Sequence, residues 1–405
     1  MINITSLGGS GEDSRNCFWI KSGTCSILLD CGVRREIASA GVVYPALTRE
    51  IAASLDAVII SHAHEDHTAA LPYLYELGYR GFVYASKETI GMIPSYLSKW
   101  VEYVKQHGGS LPFDKNNIGK IRYKPVDELP FPVRYGRDGH IIGGLWYLFD
   151  FDRKTLLYTG DLTYDSLLLE ADPLPEADIL IIDSAYAGKQ LVQKEQYDKL
   201  YEHARSVPEQ QGKLLLPVPA NGRGIDMFVY LSRFGLPLYA EENIVRNTAD
   251  LFRQEKWVKL GGQLSGDFIT VNKGNRKDVL RNDCSGVYLF GDGMMTSAVS
   301  AEYFAAVRDD SRSRIIISGH SAKGTLANDL LSRDFVREQN IQVPAEHLTI
   351  KVHNDEQDVL DLVDKVRPGH VMLFHSRKSA CETLVKRLNN KGIETVCDVL
   401  HTLNI

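Results

Sequence analysis

The chain has 405 residues, of which 44% are hydrophobic and 24% are charged, and a formal net charge of -6. This length allows two or three domains with separate cores, and the acidic balance argues against a generally basic protein that coats nucleic acid. No apolar run approaches the roughly 20 residues of a membrane span, the N-terminus does not resemble a secretory signal, and the six cysteines are scattered. We therefore expect a cytoplasmic protein with reduced thiols and no membrane contact.

The first 60 residues predict paired β-strands, because apolar and polar residues alternate between short turn sequences. Strands are expected over residues 2–7, 17–21 and 26–30, and the last two form a hairpin. Asp30 ends the third strand. It is either a turn carboxylate or a support for the histidine-rich loop that follows.

That loop, Ser61-His62-Ala63-His64-Glu65-Asp66-His67-Thr68, is the most informative stretch of the chain. It follows the apolar run 56–60, so we expect it at the C-terminal end of a buried strand. Imidazole and carboxylate groups suit a divalent ion such as zinc, and four donors exceed what one tetrahedral site usually takes from one loop. The spacing predicts two neighbouring ions, with His62 and His64 facing one and Asp66 and His67 facing the other. The simpler alternative is a surface stretch, or a helix cap near Thr68.

Helices and strands alternate after the loop, which predicts a layered α/β architecture. His140 lies between glycines, while Asp161 and Asp183 each end an apolar strand, so we expect all three along one edge of a sheet. The helices are expected at residues 69–77 and 89–106, and the strands at 82–85, 121–123, 145–151, 155–161 and 179–184.

A second block begins near residue 213 and predicts a small parallel sheet of its own. A polar helix at 195–203 leads into it. Its strands are expected at 213–218, 236–239, 286–290 and 314–318, and its helices at 223–234 and 298–307. Beyond it, the strands predicted at 348–353 and 371–375 end in His353 and His375. Helices are predicted after them, at 356–366 and 379–389.

These motifs resemble those of the metallo-β-lactamase-fold hydrolases of the β-CASP group, nucleases that include ribonuclease J, the pre-mRNA 3′-end endonucleases and Artemis. The loop from His62 to His67 resembles the signature HxHxDH of that family. Further similar motifs lie at Gly139–Gly144, Thr159–Asp161, Ile182–Tyr186, Gly291–Ser297, Gly319–Leu326, Lys351–Asp355 and Leu373–Ser376. The resemblance implies an α/β fold in which a metallo-β-lactamase αββα sandwich, residues 1–190 and 348–405, carries an inserted β-CASP α/β domain, residues 191–347.

The resemblance also implies which residues hold metal. The expected ligands of the first ion are His62, His64 and His140; those of the second are Asp66, His67 and His375, and Asp161 bridges the two. We therefore expect two Zn²⁺ per chain, with Mn²⁺ as the alternative.

By the same resemblance, the catalytic residues are Asp66, Asp183 and His353. His353, placed by Asp183, would bind the scissile phosphate and help to protonate the leaving group. Further substrate contacts are expected from Ser297, His320, Lys323, Gly324 and Thr325.

The implied function is that of a zinc-dependent ribonuclease acting on single-stranded RNA through a hydroxide shared by two metals. His375 favours RNA, because members resembling Artemis, which act on DNA, usually carry an aliphatic residue there. Two alternatives stay open: a DNA nuclease or other phosphodiesterase or ester hydrolase, and an inactive RNA-binding scaffold. A homodimer is also open. Departures from the family pattern at Ala185, Lys351-Val352 and Ser376-Arg377 remove no expected ligand but leave the subfamily undecided.

Overall fold

The structure is a computed structural model that describes residues 1–23, 25–34, 43–151, 153–259, 264–281, 284–319 and 321–405. The chain divides into two compact units. The first unit comprises Met1–Tyr164, Ala171–Gln190 and His353–Ile405, and the second comprises Asp165–Glu170 and Leu191–Val352.

The strands of the first unit are β1 Asn3–Gly8, β2 Ser10–Gly11, β3 Cys17–Lys21, β4 Ser26–Leu29, β5 Ala57–Ile59, β6 Phe82–Ala85, β7 Arg122–Pro125, β8 Val133–Arg137, β9 Leu145–Phe151, β10 Lys154–Tyr158 and β11 Ile179–Asp183. In chain order, the second unit then contributes β12 Lys213–Val218, β13 Leu238–Glu241, β14 Ile269–Val271, β15 Gly286–Gly291, β16 Arg314–Ile317 and β17 Ala345–His347. The first unit resumes with β18 His370–Phe374, β19 Ser376–Arg377, β20 Glu394–Val396 and β21 Thr402–Asn404.

The helices of the first unit are α1 Arg49–Ser54, α2 Glu65–Thr68, α3 Leu71–Glu76 and α4 Lys87–Gln106, with 3₁₀ helices at Lys115–Lys120 and Val126–Glu128. The second unit holds α5 Gln193–Glu209, α6 Arg223–Ser232, α7 Glu242–Phe252, α8 Arg276–Arg281, α9 Ala298–Ala305, α10 Leu326–Asp329 and α11 Arg333–Glu338. The last two helices, α12 Glu356–Val366 and α13 Lys378–Asn390, belong to the first unit.

The first unit is a sandwich of two mixed sheets with helices outside. One sheet has the order β21-β1-β3-β4-β5-β6-β7 and the other the order β20-β18-β11-β10-β9-β8. The sheets pack together through aromatic rings, with Phe18 of β3 lying 5.7 Å from Tyr158 of β10 and 5.3 Å from Phe374 of β18. Apolar residues of α3 and α4 cover the outer face of the first sheet, and those of α12 and α13 cover the second. The predicted α/β fold, with its αββα sandwich, is confirmed.

Parallel pairing decides where functional side chains can gather. Strands β4, β5, β6 and β7 pair in parallel, as do β10, β11, β18 and β20. Because the carboxyl ends of parallel neighbours meet at one edge, residues that follow β10, β11 and β18 come close together.

The second unit contains the parallel sheet that the sequence predicts, in the order β14-β13-β15-β12-β16-β17. Helices α5, α6 and α7 contribute to the apolar core on one face, and α9 and α10 to the core on the other. Its two edge strands, β14 and β17, are not predicted from the sequence. Each is only three residues long and pairs on one side.

One predicted helix is shorter than expected, and one predicted strand is wrong. The helix expected at residues 69–77 is α3, Leu71–Glu76, and Pro72 occupies its first turn, where a missing N–H is tolerated. The strand expected at residues 348–353 is absent from these described residues, and β17 ends just before them, at His347. Leu348 and Ile350 are buried as their alternation suggests, but His353 lies in a bend rather than at the end of a strand.

Among the described residues, we find no helix long and apolar enough to cross a membrane.

Candidate metal centre

The histidine-rich loop starts just after β5, and α2 begins within it. His64 precedes α2, whereas Asp66 and His67 lie inside that four-residue helix. Backbone hydrogen bonds hold the helix in place, since Asn16 N donates to Asp66 O at 2.9 Å and Cys31 N donates to His67 O at 2.8 Å. Gly32 permits this close approach, because a Cβ there would overlap the carbonyl oxygen of Asp66.

The side chains predicted as ligands gather in two groups. The donor atoms within each group lie within 4.8 Å of one another: His62, His64, His140 and Asp161 form the first, and Asp66, His67 and His375 form the second. In the first, His64 Nδ1 lies 3.0 Å from His62 Nε2 and 3.3 Å from His140 Nε2. In the second, His375 Nε2 lies 3.1 Å from Asp66 Oδ2.

Asp161 lies between the groups. Its Oδ2 is 3.5 Å from both His62 Nε2 and His140 Nε2, and its Oδ1 is 3.2 Å from His67 Nε2. Burial would raise the pKa of Asp161, but the histidines around it, His67 foremost, lower that pKa well below its usual range. The carboxylate is therefore ionised and available to both groups.

The carboxylates around the second group raise the pKa values of its two histidines, so these rings hold protons at the place where a cation would bind. Burial lowers the pKa of His67, but Asp161, Asp30 and Asp66 raise it well above its usual value. Burial likewise lowers the pKa of His375, yet Asp161 and Asp66 raise it to about 10. A bound cation would take the place of these protons, because imidazole ligates only when deprotonated.

Asp30 fixes the orientation of His67. His67 Nδ1 donates to Asp30 Oδ2 at 2.6 Å, which leaves Nε2 as the ligating nitrogen. Asp30 also accepts from Ser61 N and from Ser61 Oγ, both at 2.7 Å, and from the hydroxyl of Tyr158. Of the two roles considered for Asp30 in the sequence, the structure shows the support of the histidine loop.

The donor set fits divalent metal ions. The first group offers three imidazoles and a carboxylate, and the second offers two imidazoles and a carboxylate, which are the ligand types that zinc takes in proteins. Asp161 Oδ1 is buried and faces His67 Nε2 at 3.2 Å in an ion pair, without a well-formed hydrogen bond. When His67 loses its proton in order to ligate, this buried carboxylate oxygen is costly unless a cation is near.

His353 lies beside the centre, paired with a carboxylate. Its Nδ1 donates to Asp183 Oδ2 at 3.0 Å and lies 3.8 Å from Asp161 Oδ2. Asp183, at the end of β11, is fully buried, and it accepts from Ala185 N at 2.9 Å and Leu162 N at 3.2 Å. The His353–Asp183 pair is therefore rigidly held.

Comparison with known proteins assigns the family. A sequence model described as the metallo-beta-lactamase superfamily matches residues 10–207, and one described as a Zn-dependent metallo-hydrolase RNA specificity domain matches residues 340–397. The chain belongs to the metallo-β-lactamase superfamily. Its resemblance to the nucleases of that superfamily is thereby confirmed.

Among curated relatives, this metallo-β-lactamase chain is 26% identical to the cleavage and polyadenylation specificity factor subunit 3 of Dictyostelium discoideum and 27% identical to the transcription termination factor FttA of Methanothermobacter thermautotrophicus. The alignments cover 93% and 96% of this chain, but only 53% and 65% of the relatives. A crystal structure of a protein of unknown function from Enterococcus faecalis V583 shares the fold, with a TM-score of 0.63 and 15% identity over the whole of both chains.

The other residues that the sequence predicts to contact substrate belong to the second unit of this metallo-β-lactamase protein. Ser297 caps α9, accepting from Ser300 N, and its own N–H donates to Asp292 Oδ2 at 2.5 Å. Thr325 caps α10, while Lys323 and Gly324 are exposed. His320 lies outside the described residues. Contact of these residues with substrate stays a prediction.

Sequence reasoning missed two polar residues of the centre. Asp138 is buried, and its Oδ1 accepts from His140 N at 2.9 Å. Its position, two residues before a glycine-flanked histidine, could have indicated this contact. Asn16 Nδ2 lies 2.8 Å from His67 Nε2, and nothing in its sequence surroundings indicates this contact.

Proposed function

We propose that this chain is a zinc-dependent ribonuclease that hydrolyses phosphodiester bonds of single-stranded RNA. The observation that carries the proposal is the convergence of two histidine–carboxylate groups on Asp161. The match to an RNA specificity domain supports RNA as the substrate, as do the names of relatives concerned with cleavage and polyadenylation and with transcription termination.

The two groups would hold two zinc ions, with Mn²⁺ as the alternative. Bound ions would supply a nucleophile from water near neutral pH and offset the charge of the phosphate. Asp161 would hold the two groups at a fixed separation, since its oxygens lie near ring nitrogens of both. Asp66 would complete the second group through its contact with His375.

His353 would act as the general acid. Because its Nδ1–H is given to Asp183, its Nε2 is the nitrogen left to protonate the leaving oxygen. Asp183 would keep the ring in this orientation through its own backbone hydrogen bonds. The ring of Tyr186, 5.6 Å from that of His353, supports the same orientation from a second side.

We further propose that the second unit selects the substrate, through Ser297, Lys323, Gly324 and Thr325 and through His320. Free thiols suit the reducing cytoplasm, and the described structure shows all six cysteines as free. We therefore propose a cytoplasmic location.

The proposal is tested by cleavage of labelled RNA and DNA oligomers of one sequence, with metal content measured on the same preparation. We expect faster cleavage of RNA and two transition metal ions per chain. Asp66→Ala should abolish cleavage and lower metal content, because the second group loses its carboxylate. Asp364→Ala is the matched control, since Asp364 makes an exposed ion pair with Lys391.

Two outcomes would redirect the assignment. Faster cleavage of DNA would make the chain a DNA nuclease. No hydrolysis of either substrate, with less than one metal ion per chain, would favour the inactive RNA-binding scaffold. Comparison of 5′-phosphorylated, 5′-hydroxyl and circular RNA on the active protein would then separate cleavage from an end and cleavage within the chain.

A further inference from the structure

Asn16 is a polar residue held against the second ligand group, and it has no role in the proposed reaction. It is fully buried. Its backbone is fixed on both sides, because Asn16 N donates to Asp66 O at 2.9 Å and Asn16 O accepts from Gly32 N at 2.9 Å. The residue is thus tied to the segment that carries Asp66 and His67, and its side chain has little freedom to leave.

The amide of Asn16 faces the ligating nitrogen of His67. Asn16 Nδ2 lies 2.8 Å from His67 Nε2. Nδ1 of the same ring donates to Asp30 at 2.6 Å, so Nε2 is the nitrogen left to ligate a metal once it loses its proton. An amide N–H facing Nε2 suits neither the protonated ring, which is itself a donor there, nor the metal-bound ring, whose lone pair is taken.

The other amide atom is also unsatisfied. Asn16 Oδ1 is buried and, over the part of the chain that the structure describes, has no hydrogen-bond partner. A buried polar atom without a partner typically costs about 1–3 kcal/mol. With a metal at His67, the amide N–H would also lack an acceptor, because the Nε2 lone pair would be bound to the ion.

We propose that Asn16 is a ligand of the second metal site, through its amide oxygen. A half-turn of the amide about its terminal bond exchanges Oδ1 and Nδ2, so the oxygen takes the place now facing His67 Nε2. This rotation relieves the repulsion between an N–H and a cation and gives Oδ1 a partner. The inference rests on the proposed metal centre.

An added oxygen changes the chemistry of the second site. Apart from Asp161, the first group offers three imidazoles, from His62, His64 and His140, whereas the second would offer two imidazoles and two oxygens. Oxygen donors suit Mn²⁺ better than nitrogen donors do. The second site is therefore the one that accepts Mn²⁺ more readily.

The test compares Asn16→Ala with Asn16→Asp in the metal-free chain of 405 residues. Mn²⁺ binding is followed by the electron paramagnetic resonance signal of the free ion, and Zn²⁺ binding by competition with a chelator. We expect Asn16→Ala to weaken one Mn²⁺ site by roughly 10–100-fold. Asn16→Asp, which keeps an oxygen of the same reach and adds charge, should bind Mn²⁺ at least as tightly as the unmodified protein.

The aspartate variant separates a ligand from a hydrogen-bond donor, since a carboxylate cannot donate. Weaker binding in Asn16→Asp than in Asn16→Ala would overturn the proposal, and so would unchanged binding in Asn16→Ala. Asn117→Ala is the control for a lost buried amide, because Asn117 donates to Glu76 at 2.6 Å and belongs to neither ligand group. Failure of the unmodified protein to bind metal would instead refute the metal centre itself.

Discussion

Removal of Asp30 is expected to weaken the second metal site without touching a ligand. Asp30 Oδ2 accepts from His67 Nδ1, Ser61 Oγ and the Tyr158 hydroxyl, while Oδ1 accepts from Ser61 N. In Asp30→Ala the His67 ring loses the partner that fixes its tautomer. In Asp30→Asn the amide oxygen can stand in the place of Oδ2, so the ring keeps its partner and only the bond from Ser61 N is lost.

The expected magnitudes follow from these contacts. Loss of a carboxylate that orients a ligating histidine typically costs 10–100-fold in metal affinity, so we expect about 1.4–2.7 kcal/mol for Asp30→Ala and less for Asp30→Asn. The metal-free protein should lose about 3–5 kcal/mol of stability in Asp30→Ala, because the buried His67 loses an ion-pair partner at 2.6 Å. Part of that loss, about 1 kcal/mol, comes from placing alanine at a φ of 56°.

The assay is Zn²⁺ titration of the metal-free protein against a chelator, with urea unfolding measured in parallel. Asn340→Ala controls for the backbone, because Asn340 is exposed at a φ of 48°. It should cost about 1 kcal/mol of stability and leave metal affinity unchanged. Asp30→Ala with unchanged affinity at both sites, or Asp30→Asn weaker than Asp30→Ala, would refute the reasoning.

Two further predictions concern other groups. His353→Ala should keep its metal content and lower RNA turnover by roughly 10²–10⁴-fold, as expected for a lost general acid; metal analysis and single-turnover cleavage check this, and loss of metal would contradict it. In the second unit, burial raises the pKa of Asp226 from 3.8 to about 6, so the folded protein binds this proton more tightly than the unfolded chain does. The resulting contribution to folding stability is fully present below pH 3.8 and is lost as the pH rises through 6. In urea unfolding, the free energy of unfolding of Asp226→Asn should therefore exceed that of the unmodified protein by up to about 3 kcal/mol at pH 8 and by nothing at pH 3.5. The same difference between the two proteins at both pH values would contradict this.

The convergence of the candidate ligands could be predicted from the sequence because most of them follow strands. The histidine loop follows β5, Asp161 follows β10 and His375 follows β18. An apolar run followed by histidine or aspartate is visible in one dimension. Parallel pairing then makes the ends of β10 and β18 meet with that of β11 between them.

The polar residues that support the ligands could not be found in this way. Asn16 and Asp30 are residue types common in turns, and their partner His67 lies 51 and 37 positions away. Their roles depend on the order of strands within a sheet rather than on a local pattern. The sequence pattern wrongly predicts His353 at the end of a strand, because the alternation of Leu348 and Ile350 continues after the last backbone pair of β17.

The backbone at the centre shows why the strand ends hold ligands so closely. Asp30 has a φ of 56° and His375 a φ of 65°, a left-handed conformation that non-glycine residues adopt at a cost of about 1–2 kcal/mol each. Specific hydrogen bonds offset this cost: His375 N donates to Gly9 O at 2.9 Å, and Asp30 N donates to Ile59 O at 2.9 Å. Each residue thereby turns sharply where its strand ends, so that its side chain meets partners from other strands. Because these turns are fixed by backbone contacts, the fold itself positions His375 and the Asp30 carboxylate that orients His67.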